Sequence, residues 1–335
     1  MIACVQKLVI GVALFAVSLA TLAADALVLR TAETQPAGYP TAQALTFMAA
    51  RLDEWSQGKL QMKLYPGGQL GDERDTLELT IFGGIDLNRV NLAPLNSIAP
   101  ETIIFTMPFL FRSTAHMRAV ADGPIGDEML AALEPHGLIG LAFYDSGARN
   151  FYNTRRPIRS PADLIGLKIR VQNSDLYVAM VEALGANPTP MGFGQVYESL
   201  LLGTIDGSEN NWPSYESTGH FEAAPYFTLT EHTMTPEVLV MAKHRWDQLS
   251  KEQQTLLRRA AKASVPYMRE QWDARTQSSR EKVIAAGVKV VEEVDKAAFI
   301  SAVEPLYEQF ITSDKARALI ARIQAVDPST AGGVQ

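Results

Sequence analysis

The chain has 335 residues, 47 % of them apolar, a formal net charge of −7 and a single cysteine. Such a composition offers no basic surface for nucleic acid or an anionic membrane, and no disulfide framework. The length is that of two domains, large enough to bury a core without covalent staples.

Residues 1–23 place Lys7 ahead of an apolar run from Leu8 to Ala20 and close on Thr21-Leu22-Ala23, the layout of a secretory signal. The run is short for a membrane span, which leaves an uncleaved anchor as the lesser alternative. Cys4 precedes the run and would leave with it. No later apolar stretch is long enough to span a bilayer. ALVLRTA (26–32) then predicts a strand, Thr41 to Ser56 a helix, and KLQMKLY (59–65) a strand closed by Pro66-Gly67-Gly68. Asp72 to Phe82 reads as a helix whose first turn holds Asp72 and Glu73, as the helix dipole favours. GIDLNRVN (84–91) is again a strand. This β-α-β-α order predicts a largely parallel sheet with helices on both faces.

A second series of the same kind begins at LIGLAFYD (138–145) and continues through LKIRV (167–171), a helix at 175–184 and VYESLL (196–201). GTIDG (203–207) reads as an edge-like segment, followed by Glu209, Asn210, Asn211 and Trp212. The last third differs. Ser250 to about Ala285 has no glycine and one proline, Pro266. As one helix it would be about 50 Å long and would brace two domains; two shorter helices meeting at Pro266 are the alternative.

Chemical motifs are mostly missing from this sequence. The five histidines lack metal-ligand spacing, and no HExxH, CxxC, Gly-x-Ser-x-Gly, phosphate-binding loop or GxGxxG occurs. Neither a catalytic set, a metal nor a cofactor is therefore expected. What remains are polar residues at strand ends, where open α/β sheets bind ligands. Arg149 follows the 138–145 strand, Arg170 ends the next, and Asn88, Arg89 and Asn91 end the 84–91 strand. Two arginines from neighbouring strand ends would match one carboxylate with their planar forks.

GGQLGDERDTLEL, MPFLF (107–111), RPIRSPADLIGLKIRV, GANPTPMGFGQVYESL and GTIDGSEN, in this order, resemble the successive signatures of the DctP-type periplasmic solute-binding subunits of TRAP (tripartite ATP-independent periplasmic) transporters. The resemblance covers nearly the whole mature chain. It implies a two-domain α/β periplasmic binding fold with a ligand cleft between the domains and a long C-terminal bracing helix. The first lobe is expected to take residues 24–147 and 236–275, and the second 148–235 and 276–335, with the helix at about 250–285 spanning both. It further implies capture of an organic anion in the periplasm and delivery to a membrane permease, with no nucleic-acid partner; a monomer is the default.

By the same resemblance, Arg170 stands where the family places its carboxylate-binding arginine and Arg149 where it places a supporting one. Asn210 matches an asparagine on the same carboxylate, and Phe193 an aromatic of the second domain's wall. Glu73 and segment 88–91 fall where members contact the distal part of the ligand, and His232 near a recurrent histidine. With Glu33 and Trp212 these complete the expected ligand set. Each has a bland rival: Arg149 as a hinge tie to an acid, Glu73 as a complement to the helix dipole, Arg89 as an outward strand residue, Trp212 and Tyr197 as core aromatics. An acidic acceptor with several amides suits hydroxyl groups, and an apolar acid would leave them unpaired. The expected ligand is a sugar acid, a hexuronate such as glucuronate or galacturonate. A dicarboxylate, keto acid or aromatic acid on the same scaffold, or an exported enzyme acting on a carboxylated sugar, are the alternatives.

Overall fold

The computed structural model describes residues 26–329, so the expected signal segment 1–23 lies outside the described residues. Eleven strands form two sheets: β1 (Leu27–Glu33), β2 (Leu60–Tyr65), β3 (Leu87–Asn91), β4 (Leu138–Tyr144), β5 (Arg149–Asn153), β6 (Lys168–Val171), β7 (Asn187–Pro190), β8 (Gly207–Asn210), β9 (Tyr226–Thr233), β10 (Glu237–Ala242) and β11 (Lys289–Val291). The first sheet runs β2-β1-β3-β10-β4 and the second β11-β9-β5-β8-β6-β7. The chain crosses between them at 145–148 and again at 234–236, the two loops that separate β4 from β5 and β9 from β10.

The first lobe starts as two βαβ units. β1 pairs in parallel with β2 and with β3, and helices α1 (Pro40–Trp55) and α2 (Glu73–Ile81) make the crossovers. Pro40 opens α1, where its missing N–H is no loss. Asp72 caps α2 by accepting from the backbone N–H groups of Arg74 and Asp75.

The expected parallel pairing holds for these units and, in the second sheet, for β6 with β7 and β8 and for β9 with β11, and two strands depart from it. β10 runs antiparallel to β3 and β4, and β5 antiparallel to β8 and β9. These two strands, β5 and β10, are the ones that the two interlobe crossing loops feed. The edge-like reading of 203–207 is also corrected: the strand is 207–210, and it lies inside the second sheet between β5 and β6. Gly207 makes that insertion possible, because a Cβ there would stand 2.4 Å from the Tyr152 carbonyl oxygen.

Lys251–Ala285 is one helix of 35 residues that continues through Pro266. Its amino-terminal two-thirds places Leu257, Ala260, Ala261, Met268 and Trp272 in the first lobe's core. Its carboxyl end places Val283 in the second lobe's core and engages Glu216 through Arg275, Ser279 and Lys282. The final helix, Asp314–Ala325, was expected with the second lobe but packs on the first. Arg112 donates to the carbonyls of Gln324 at 2.6 Å and Val326 at 2.8 Å, and His116 Nε2 lies 2.9 Å from the Ile323 carbonyl. No helix of the described residues is long and apolar enough to cross a membrane.

Candidate functional site

The carboxyl ends of β1, β3 and β6 open onto a cavity of about 480 Å³, the part facing solvent included. The first lobe supplies Thr34, Gln35, Asp72, Glu73, Arg74, Asn91, Pro94 and Glu237. The second supplies Arg149, Arg170, Gln172, Asn173, Met191, Gly192, Phe193, Asn210 and Ser214. The lobes touch around it. Tyr39 Oη lies 2.8 Å from Ser214 Oγ, and Gly192 packs so close to Asp72 that a Cβ would stand 2.7 Å from its Oδ2.

In the second lobe, β8 sets Glu209 and Asn210 opposite Phe151 and Asn150 of β5. Arg149, at the start of β5, uses its fork on Glu209, with Nη2 to Oε1 at 2.7 Å and Nε to Oε2, and donates through Nη1 to Asn210 Oδ1 at 3.1 Å. Burial alone would lower Arg149, but the Glu209 charge raises it above the usual arginine range. Glu209, which burial would raise, is held down at about 2 by Arg149 and His232. Arg149 is therefore both a wall of the cavity and a tie to an acid.

Arg170 is different. It is 3 % exposed, and its Nε and Nη2 donate to one carbonyl, that of Met191, at 3.1 and 2.8 Å. Among the described residues no carboxylate lies within ion-pair distance of it. Burial therefore lowers its proton affinity, and the more distant Glu209 does not compensate. A buried guanidinium without a counterion is costly, and an anion seated there would remove the cost.

The first lobe's wall is the reverse. Arg89 is fully buried and meets three acids: Glu33, Glu73 with Nη1 to Oε1 at 3.1 Å, and Glu237 with Nη1 to Oε2 at 3.2 Å. Burial would lower Arg89, but Glu237, Glu33 and Glu73 together raise it well above its ordinary value. Glu73 is closed further by Asn91, whose backbone N–H donates at 3.1 Å and whose Nδ2 donates at 2.8 Å.

Of the expected ligand set, Arg149, Arg170, Asn210, Glu73, Asn91 and Phe193 line the cavity. Arg89, Glu33, Asn88, Trp212 and His232, also expected to contact ligand, do not line it and are engaged in packing and internal pairs. Arg89 lies behind Glu73. Glu33 is occupied by Arg89, by the Gln35 N–H at 2.8 Å and by Thr41 Oγ1 at 2.9 Å. Asn88 donates to Thr80 Oγ1 at 3.2 Å, tying β3 to α2. Trp212 stacks on Phe227 at 4.0 Å in the second lobe's core. His232 stacks on Phe151 at 4.4 Å and stands 3.4 Å behind Glu209.

Thr34, Gln35, Gln172, Asn173 and Glu237 were missed. The first four follow the carboxyl ends of β1 and β6, a position that marks ligand contacts in open sheets. Glu237 carried no such signal, since only the pairing of β10 with β3, Glu237 opposite Asn91, brings it to the cavity. No group of acidic, histidine or cysteine residues among those described has the arrangement of a metal site.

The family model for bacterial extracellular solute-binding protein, family 7 (DctP) matches residues 31–314. A TRAP periplasmic solute-binding protein from Bradyrhizobium sp. BTAi1, solved with α/β-D-galacturonate, is 54 % identical. That match covers 90 % of this chain and 100 % of that one, at a TM-score of 0.88. A Xanthobacter autotrophicus Py2 counterpart with β-D-galacturonate is 52 % identical over 89 % of this chain and 100 % of that one, also at 0.88. One from Chromohalobacter salexigens with D-glucuronate is 41 % identical over 88 % and 99 %, at 0.86.

Proposed function

This chain belongs to the bacterial extracellular solute-binding proteins of family 7, and on that premise we propose that it captures a hexuronate, D-galacturonate first, for a TRAP membrane permease. The observation that carries the reading is Arg170, a buried guanidinium with a carbonyl but no carboxylate as partner, facing a cavity between two lobes. A bidentate carboxylate supplies what this fork lacks. Asn210, held by Arg149, offers an amide beside it. Across the cavity Glu73 and Asn91, with Glu237 beside them, face the hydroxyl-bearing end of the sugar, since hydroxyls donate to the Glu73 carboxylate and pair with the Asn91 amide. The same wall disfavours a second carboxylate on the ligand. The galacturonate-bound structures at 54 % and 52 % identity support this ligand over its epimer glucuronate.

The protein works outside the cytoplasm as a monomer after removal of residues 1–23, and it releases its ligand chemically unchanged. A thermal-shift panel of galacturonate, glucuronate, aldonates, C4 dicarboxylates and aromatic acids tests the reading. Ligand at a hundred times its Kd adds about 2.7 kcal/mol of stability. Galacturonate is expected to give the largest rise; a rise with dicarboxylates or aromatic acids alone overturns the reading. Mass analysis of ligand recovered after prolonged incubation is expected to return it intact, and turnover would replace the binding function with an enzymatic one.

A further inference from the structure

The first lobe's wall has more acid than its arginine can balance. Two buried carboxylates, Glu33 and Glu237, and the partly buried Glu73 share the single guanidinium of Arg89. The hydrogen bonds they receive differ. Glu33 receives Arg89, the Gln35 N–H and Thr41 Oγ1. Glu73 receives Arg89 and both donors of Asn91. Glu237 is 1 % exposed, and its Oε2 accepts no hydrogen bond. That oxygen stands 3.2 Å from Arg89 Nη1 but out of line for a bond. Glu237 also lines the cavity, which the Glu33 side chain does not.

Every packed element around it adds to the same picture. β3 brings Arg89, β1 Glu33, α2 Glu73, and the residue before α1 Tyr39; β5 contributes the field of Arg149. Tyr144, its register partner on β4, is a neutral phenol that burial keeps protonated. With all three carboxylates ionised the cluster would hold two unbalanced negative charges, with Glu33 and Glu237 shielded from water, which proteins avoid by keeping a proton.

We propose that Glu237 is held as a carboxylic acid and presents its O–H to an oxygen of the uronate at the end remote from Arg170, so that capture requires a proton at this residue. This rests on the uronate reading for the identity of the partner oxygen, and on the protein alone for the proton. Burial, partly offset by Arg89, acts with Glu33 and Glu73 to push Glu237 up to about 8. Below that point the acid donates. Above it the donor is lost and the wall gains a charge next to an anionic ligand, so affinity falls as pH rises, by about tenfold per unit once the proton is gone.

Titration calorimetry with D-galacturonate from pH 6 to 9.5 tests this on the mature protein. Wild type is expected to weaken steeply above pH 8. Glu237→Gln, a neutral donor of similar shape, is expected to bind a few-fold more weakly at pH 7 and to show no such fall, while Glu237→Ala loses affinity throughout. Parallel profiles for wild type and Glu237→Gln overturn the proposal. So does a flat wild-type profile with binding abolished in Glu237→Gln, the mark of an ionised acceptor. Difference infrared spectra without ligand judge the proton separately: a protonated-carboxyl band at pH 7 that vanishes in Glu237→Gln supports it, and identical spectra overturn it. A wild type that binds no uronate at any pH overturns the uronate reading instead, and the infrared result still decides the proton.

Discussion

Arg89 and Arg170 are both strand arginines, both buried, one in each wall of the cleft, and their surroundings are opposite. Arg89 has three carboxylates on one guanidinium; Arg170 has one carbonyl and none. The first leaves the guanidinium fully paired without a ligand and builds the wall. The second is incomplete and fits an anion that comes and goes. Burial alone therefore does not mark a binding arginine. The state of its counterions does.

Substituting each arginine in turn gives the sharpest break between the two. Arg89→Ala strands buried carboxylates, so folding stability is expected to drop by about 3–5 kcal/mol, read by urea or thermal unfolding without ligand. A stability within error of wild type would show that this cluster does not support the wall. Arg170→Ala is expected to reduce galacturonate affinity by about 10²- to 10³-fold, while unfolding of the ligand-free protein is unchanged or shifts upward, because an unpaired buried cation is removed. Calorimetry with unaltered affinity would detach Arg170 from the ligand. Arg170→Lys keeps the charge without the fork and should fall between the two.

A third arginine sits between these cases. Arg149 lines the cavity yet is neutralised by Glu209, whose carboxyl is held at about 2. Because that folded value lies below the unfolded one, the stabilisation is present above the ordinary glutamate range and is lost as pH falls towards 2; it is of order 3 kcal/mol at most. Acid unfolding of wild type and Glu209→Gln should therefore converge towards pH 2. A gap that stays constant with pH would mean that the pair does not titrate as described. The smallest effect concerns the rim. Gly192→Ala puts a methyl against Asp72, and a few-fold loss of affinity is expected, restored when Asp72→Ser shortens the facing side chain while keeping an α2 cap. No change in calorimetry would mean that the lobes do not need this approach.

Much of this was legible in the chain. Alternation and capping residues located β1, α1, β2 and α2 to within a residue or two, because local periodicity and helix-end chemistry are encoded locally. Pro266 left the long helix open to a break that its 35-residue span does not show, since packing along both lobes holds a helix where local propensity would end it. The antiparallel insertion of β5 and β10 was not legible, because strand order depends on which sheet a crossing loop reaches. The same limit applied to the site. Arg170 at a strand end could be picked out, but whether an arginine is already paired is a tertiary fact. The pairing of Arg89 with Glu33 is such a fact, and nothing in the spacing of the two residues announced it.

The most direct measurement is a crystal structure of the mature protein grown with D-galacturonate. We expect both lobes closed on the sugar, its two carboxylate oxygens at about 2.7–2.9 Å from the guanidinium of Arg170, and its hydroxyl end against Glu73, Asn91 and Glu237. A sugar bound in reverse, with its carboxylate in the acid-rich wall and Arg170 still facing only the Met191 carbonyl, would contradict the account.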